Sequence, residues 1–300
     1  MFKKLIFFLP FVLLAQGNPV HQQISTLQAE NYWKYHHWAS VGYRRDRQKF
    51  QANTTQSTYT DRNTMQLILG SHAEWYKVVL HFVGSYGWLV NGNFGFQDPP
   101  VSGKYDLGAG YTADVAAELG LRIPIYNHPS FSFAFIPSGG YKYSHLMNFA
   151  ESKDPTYFPK PNQQDWFGPL IEGRLDLLFS KVCEWALFYQ YHWVTMRSKS
   201  TEQQNQYGST TTLSRWSSIY KASYAQKQVI GTDIRYHTSS GWYSSIHFEA
   251  SKFTTAKATY NSKQVTEQVS PLEVTTVFFN EPASILWVCY DVSLSLGYQF

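Results

Sequence analysis

Cysteine is almost missing from this sequence: Cys183 and Cys289 are the only two in 300 residues, too few for a disulfide scaffold. Charge is also sparse, at 15% Asp, Glu, Lys and Arg. The net +4 is spread along the chain instead of forming a basic patch, so nucleic-acid binding has no footing. After the first seventeen residues no apolar run reaches the roughly 20 residues that a membrane-spanning helix needs. The sequence contains no Gly-rich phosphate loop, nucleotide fingerprint, Cys/His metal spacing or ordered Ser-His-Asp set. The GSYG of Gly84 to Gly87 does not match a nucleophile elbow. Adjacent His36 and His37 point to opposite faces of a strand and cannot easily share an ion, so no metal or organic cofactor is expected.

Aromatic residues are abundant, with 22 Tyr, 21 Phe and 10 Trp making up 18% of the chain, yet mean hydropathy is only −0.35. That combination suits a membrane barrel with aromatic girdles at both interfaces and a polar interior. The chain starts with Lys3 and Lys4, an apolar run from Leu5 to Ala15 and small residues at Ala15 and Gly17, the layout of a cleavable secretory signal over 1–17. An exported membrane protein without a spanning helix must cross as strands. The domain expectation is a signal at 1–17, a periplasmic segment at 18–32 and one barrel at 33–300.

Period-two alternation supports strands. In 107–125, Tyr111, Ala113, Val115, Ala117, Leu119, Leu121 and Ile123 share one face, and Asp114, Glu118 and Arg122 share the other. Trp185, Leu187, Tyr189, Tyr191 and Trp193 repeat the pattern opposite Glu184, Gln190 and His192. Ten strands are expected, at about 33–49, 62–71, 75–90, 107–125, 131–148, 165–181, 184–199, 222–237, 241–256 and 284–300. The links alternate in length. Short ones fall near 72–74, 126–130, 182–183 and 238–240, and long polar ones at 50–61, 91–106, 149–164, 200–221 and 257–283. Short periplasmic turns and long external loops are the layout of an antiparallel transmembrane β-barrel with both termini in the periplasm. A seventeen-residue strand tilted near 40° rises roughly 43 Å, more than a hydrocarbon core of about 30 Å, so the strands should project outward. Cys183 falls at a periplasmic turn and Cys289 at the far end of the final strand, too distant to bridge.

The ending, Tyr290 to Phe300, is YDVSLSLGYQF, apolar at every second position and closed by an aromatic. It looks like the signal, here Tyr298 and Phe300, by which the barrel assembly machinery recognises bacterial outer-membrane barrels. The resemblance implies an outer-membrane location and contact with outer-membrane lipid. The long strands, five external loops and the aromatic pair Trp166 to Phe179 and Trp185 to Trp193 resemble the omptin family of outer-membrane aspartyl proteases. The chain is also similar to the Protochlamydia outer membrane proteins. Omptin chemistry implies an Asp-x-Asp pair on one wall of the external cleft and an Asp-x-His pair on the other, sharing one water. At the first place this chain reads NGNFGFQDPP, Asn91 to Pro100, where Asp98 alone could match and Phe96 takes its partner's place. At the second it reads RSKSTEQQNQYG, Arg197 to Gly208, with Glu202 as the sole acid and no His.

Asp233, Arg235 and His237, with His247 and Glu249, lie on inward faces of neighbouring strands. Together with Asp114, Glu118, Arg122, Glu172, Arg174 and Asp176 they are expected to form a lumen polar network, since small barrels fill their interiors with side chains. Arg44, Arg45, Arg47 and Lys49 cluster at the external end of strand one. The omptin resemblance makes them lipopolysaccharide contact candidates, with lipopolysaccharide as a bound lipid. Three functions are compatible with these residues: a surface barrel without protease chemistry, acting as adhesin or structural component on a host or extracellular ligand; an omptin-type endopeptidase; and a small-solute porin. The first fits best, because the architecture is present and the catalytic pairs are not.

Overall fold

A strand whose alternate residues suit lipid and a polar interior has no surface left to bury in a second layer, so closing the sheet on itself is what satisfies both faces. The computed structural model does this. It describes residues 34–51, 57–98, 101–128, 130–151, 157–159, 162–179, 182–206, 212–269 and 272–300. The expected signal at 1–17 with its cleavage site, and the expected periplasmic segment at 18–32, lie outside the described residues. Among the described residues no helix is long and apolar enough to cross a membrane.

The strands are β1 (Lys34–Gln51), β2 (Ser57–Trp75), β3 (Val78–Asp98), β4 (Val101–Leu121), β5 (Ile123–His128), β6 (Phe131–Glu151), β7 (Tyr157–Pro159), β8 (Asn162–Phe179), β9 (Cys183–Gln206), β10 (Thr212–His237), β11 (Trp242–Val269) and β12 (Leu272–Gln299). Ten of them pair antiparallel in a ring: β1 with β2, then β3, β4, β6, β8, β9, β10, β11 and β12, which pairs β1 from His36↔Gln299 to Gln51↔Ser284. Strand β5 continues β4 past Arg122 and pairs only β6, and the three-residue β7 adds to the outer part of β9. The short link expected at 72–74 falls instead at 76–77, since β2 runs on to Trp75, and it and the link at 238–240 are tight hairpins closed at Tyr76 (φ 60°) and Gly241 (φ 86°). Glycine takes that left-handed geometry without steric cost, whereas Tyr76 does not.

The outer face is an apolar belt. Val41, Leu67, Leu69, Phe82, Val115, Leu119, Ile171, Leu187, Ile230, Ile246, Leu294 and Leu296 are all exposed there. The short-turn end is rimmed by aromatic side chains. Tyr298 packs edge-on against Trp242 (5.1 Å) and Phe300 (4.7 Å), and the Phe300 amide donates to the Tyr35 carbonyl at 2.9 Å. Tyr43, Tyr86, Trp88, Tyr143 and Trp193 mark the opposite rim. The terminal residues Tyr298 and Phe300 are thus part of the wall and of its girdle.

The strands are longer than their sequence pattern. Most of the spans read as loops at 91–106, 200–221 and 257–283 are strand, and β11 and β12 run 28 residues each. At a 40° tilt such a strand rises roughly 70 Å, more than twice the hydrocarbon thickness. The correction has a physical reason. Beyond the membrane both faces of a strand meet water, so the apolar/polar alternation disappears while main-chain pairing continues. β9 to β12 project furthest, and β12 from Leu272 to Ala283 pairs β11 alone.

Close approach of backbones sets one position tightly. A Cβ on Gly168 would sit 1.8 Å from the Trp193 carbonyl oxygen, backbone that cannot step aside. Gly168→Ala is expected to destabilise the barrel by about 3 kcal/mol, the upper range for overpacking, seen as an earlier midpoint in urea unfolding. The equivalent change at Gly84, whose nearest atom would be 3.9 Å away, should be near neutral.

Candidate functional site

The side chains that turn inward form two layers. The layer nearer the short-turn end is ionic. Asp233 receives Arg174 Nη1 at 3.1 Å and lies 2.6 Å from His247 Nδ1, while Arg174 Nε donates to Asp176 at 2.7 Å and Arg122 Nη1 reaches the same carboxylate at 3.0 Å. Glu184 accepts from Arg235 at 3.2 Å and sits 3.3 Å from His237 Nε2. Glu118 takes the Ser138 hydroxyl at 3.0 Å and has His81 at 3.8 Å, Glu172 takes Gln190 at 2.6 Å, and Glu249 lies 3.8 Å from His247. Parity places these groups. Each lies on the polar alternation of its strand, and a buried charge is tolerable only where such partners converge.

The outer layer is different. Trp166, Val194, Met196, Ala222, Ala225, Phe253, Ile285, Trp287 and Cys289 form one buried cluster inside the barrel, with Phe50 packed against it. Trp166 on β8 meets Phe253 on β11 at 5.0 Å and Trp287 on β12 edge-on, so the contacts reach across the lumen. Asp46, fully buried, accepts from Trp287 Nε1 at 3.0 Å and Arg44 Nε at 3.1 Å, and Arg62 Nη2 lies 3.8 Å from it. Arg62 Nη1 donates to Asn148 on β6 at 3.5 Å, and Gln164 donates to Gln48 at 3.2 Å, two further cross-lumen contacts. The Trp287 ring has three cations within 6 Å, Arg44, Arg62 and Lys227. Beneath the outer layer, lined by side chains of the ionic layer and reaching toward the short-turn end, lies a cavity of about 160 Å³.

Two expectations need correcting. Arg44 is not on the outer surface. It shares the inward parity of Ser40 and Gly42, is 7% exposed, and spends its guanidinium on Asp46 and on Asp114 at 3.0 Å. Arg45, Arg47 and Lys49 do face outward. Arg47 pairs with Asp61 at 2.7 Å, and that hydrogen bond raises its guanidinium pKa above the ordinary value. Cys289 is mid-strand and buried, opposite Asp46, not at the end of β12; it and Cys183 are both free thiols. Asp98 faces Val101 across the tip of the β3–β4 hairpin, and Glu202 pairs in register with Trp216 and Pro159. His36 turns inward against His72 (5.4 Å) and His37 outward against Phe300, and among the described residues no group of three or more metal-ligating side chains forms. The plug escaped the sequence reading although a signal was available: Trp166, Trp287 and Phe253 each occupy the polar parity of their strand.

Residues 39–300 match the family described as Protochlamydia outer membrane protein. The chain belongs to that family. Membership agrees with the closed ten-strand barrel and places the protein in the outer membrane. Among solved structures, the outer membrane protease OmpT from Escherichia coli is similar at 10% identity and a TM-score of 0.57, covering 89% of this chain and 97% of its own. The translocator domain of the autotransporter NalP from Neisseria meningitidis has 7% identity and a TM-score of 0.33, with 88% of each chain covered. The transport unit of the Escherichia coli autotransporter AIDA-I has 11% identity and a TM-score of 0.32, covering 96% and 94%. No curated protein matches. The omptin likeness is one of fold.

Proposed function

We propose that this family member is a non-conducting outer-membrane barrel that acts at the cell surface as an adhesin or structural component, through the outer parts of β9 to β12. The observation that carries this reading is the pairing of a filled lumen with an extended outer wall. The aromatic and ionic layers occupy the space a porin would leave open, and ten strands lie far below the sixteen at which aqueous channels appear. The strands, by contrast, continue well past the length a bilayer requires. The peptidase reading has Asp98 as its single matching acid.

The test compares cells displaying the full chain with cells displaying a variant in which residues 257–283 are replaced by a short turn. Loss of attachment to host cells or immobilised matrix protein, with heat-modifiable gel mobility retained, is the expected result. Hydrolysis of a basic-site peptide by refolded protein, abolished by Asp98→Ala, would replace this reading with the peptidase.

A further inference from the structure

The cavity is lined mostly by members of the ion-pair network, with two cations besides. Arg44, Arg174 and Arg235 each contact a carboxylate, but Lys142 and Lys227, which line the same cavity, form no ion pair among the described residues. Lys227 is 7% exposed and sits over the face of Trp287 at 5.8 Å. An ammonium so far out of water costs several kcal/mol unless an acceptor meets it. On the acidic side, Asp291 lies directly opposite Glu249 in the β11–β12 register, two like charges facing each other. The buried Oδ1 of Asp291 has no hydrogen-bond partner, although Arg44 faces Asp291 from β1, and Glu249 has His247 at 3.8 Å.

The two sets of leftover charge stand at different heights. Glu249 faces Gly231 on β10, and Lys227 lies four residues further toward the outer end, just beneath the aromatic plug. The backbone offset is roughly 13 Å, which the long lysine arm shortens. The cavity therefore has a cationic roof and an acidic wall, with room for on the order of ten waters at ~10–15 Å³ each. A simple anion would satisfy the lysines and leave Asp291 and Glu249 facing each other, and a simple cation would do the reverse. A molecule with both charges satisfies both poles without changing the net charge of the lumen.

We propose that this cavity binds a small zwitterion of the free α-amino acid class, its carboxylate between Lys142 and Lys227 and its ammonium at Asp291 and Glu249. The plug closes the outer end, so the ligand enters from the periplasmic side. The geometry requires neither catalysis nor conduction, and the site is independent of what the outer strands bind.

The experiment is calorimetry and thermal unfolding of the refolded full chain in detergent with L-alanine, and separately with acetate and with methylammonium. L-alanine should bind and raise the unfolding temperature, while each half-ligand should bind at least ~10-fold more weakly, as expected when one of two charge-assisted contacts is lost. Asp291→Asn and Lys227→Gln should each weaken L-alanine by about 10-fold or more, and the Lys142→Gln/Lys227→Gln pair should abolish it. Absence of L-alanine binding at tens of millimolar to a heat-modifiable, folded barrel would overturn the proposal. So would acetate binding as tight as L-alanine and unchanged by Asp291→Asn, which would make the site one for plain anions. If a variant fails to fold, the three-ligand comparison on the unmodified chain decides.

Discussion

Replacing Trp166 and Trp287 together by alanine is expected to yield a barrel that passes discrete ionic currents in planar bilayers where the unmodified protein is expected to pass none. These two indoles, with Phe253 and Met196, form the apolar part of what crosses the lumen at the outer layer, beside the Arg62–Asn148 and Gln164–Gln48 contacts, and Trp166 and Trp287 are only 4% and 3% exposed. Below them the space is already polar and partly open, so removing the indoles connects that cavity to the outer mouth. Each Trp→Ala change carries a stability cost of about 3–5 kcal/mol, so the measurement needs a parallel check of heat-modifiable mobility. Continued silence from a folded double variant would mean that the ionic layer is itself a barrier. Currents from the unmodified protein would contradict the plug, and with it the reading of this barrel as non-conducting.

Asp46→Ala should produce the largest loss of stability of any single polar change, about 3–5 kcal/mol, the usual range for removing one partner of a buried charge pair. Asp46 is fully buried and, among the described residues, is the one carboxylate paired with Arg62, itself 1% exposed; it also fixes Arg44 and the Trp287 N–H. Removing it leaves cations crowded around an indole ring in a space with little water. Asp46→Asn, which keeps an acceptor for Trp287, should cost less. Asp46→Ala/Arg62→Met should recover part of the loss, because the unpaired charge leaves with its partner. Urea unfolding followed by tryptophan fluorescence measures all three, and a cost under 1 kcal/mol for Asp46→Ala would refute the assignment.

The wall of the barrel was legible where lipid imposes a code. Between Tyr111 and Ile123, or Trp185 and Trp193, every second side chain meets hydrocarbon, and the sequence alternates accordingly. The same parity places Asp114, Glu118, Glu172, Arg174, Asp233 and Glu249 inside. Legibility failed at two kinds of place. Above the membrane the code lapses, so the outer halves of β9 to β12 looked like loops although their main chains pair, with one irregularity in each hairpin at Ala222/Ala225 and Thr255/Ala258. Inside the barrel, contacts are made across the lumen between strands distant in sequence, so Trp166, Phe253 and Trp287 give no local sign that they meet. Even so, β12 contains a hint: Ile285, Trp287 and Cys289 share parity with Asp291, Ser293 and Ser295, so the inward face changes from polar to apolar at Cys289. Arg44 was misplaced for a simpler reason. Its neighbours in sequence, Arg45 and Arg47, drew it into a surface cluster, while alternation assigns it to the opposite face.

The ring is joined between its first strand and its last, sixteen facing residue pairs from Gln51↔Ser284 to His36↔Gln299. This seam cannot zip until the final residues have been made, because β12 supplies one whole side of it. Unpaired, its two sides β1 and β12 would be bare sheet edges, each able to recruit a stray strand. Contacts of such long sequence separation also make the last step slow. The terminal aromatic at Phe300, which meets Tyr35 near the chain's opposite end, thus lies where the zipping of this seam starts or finishes.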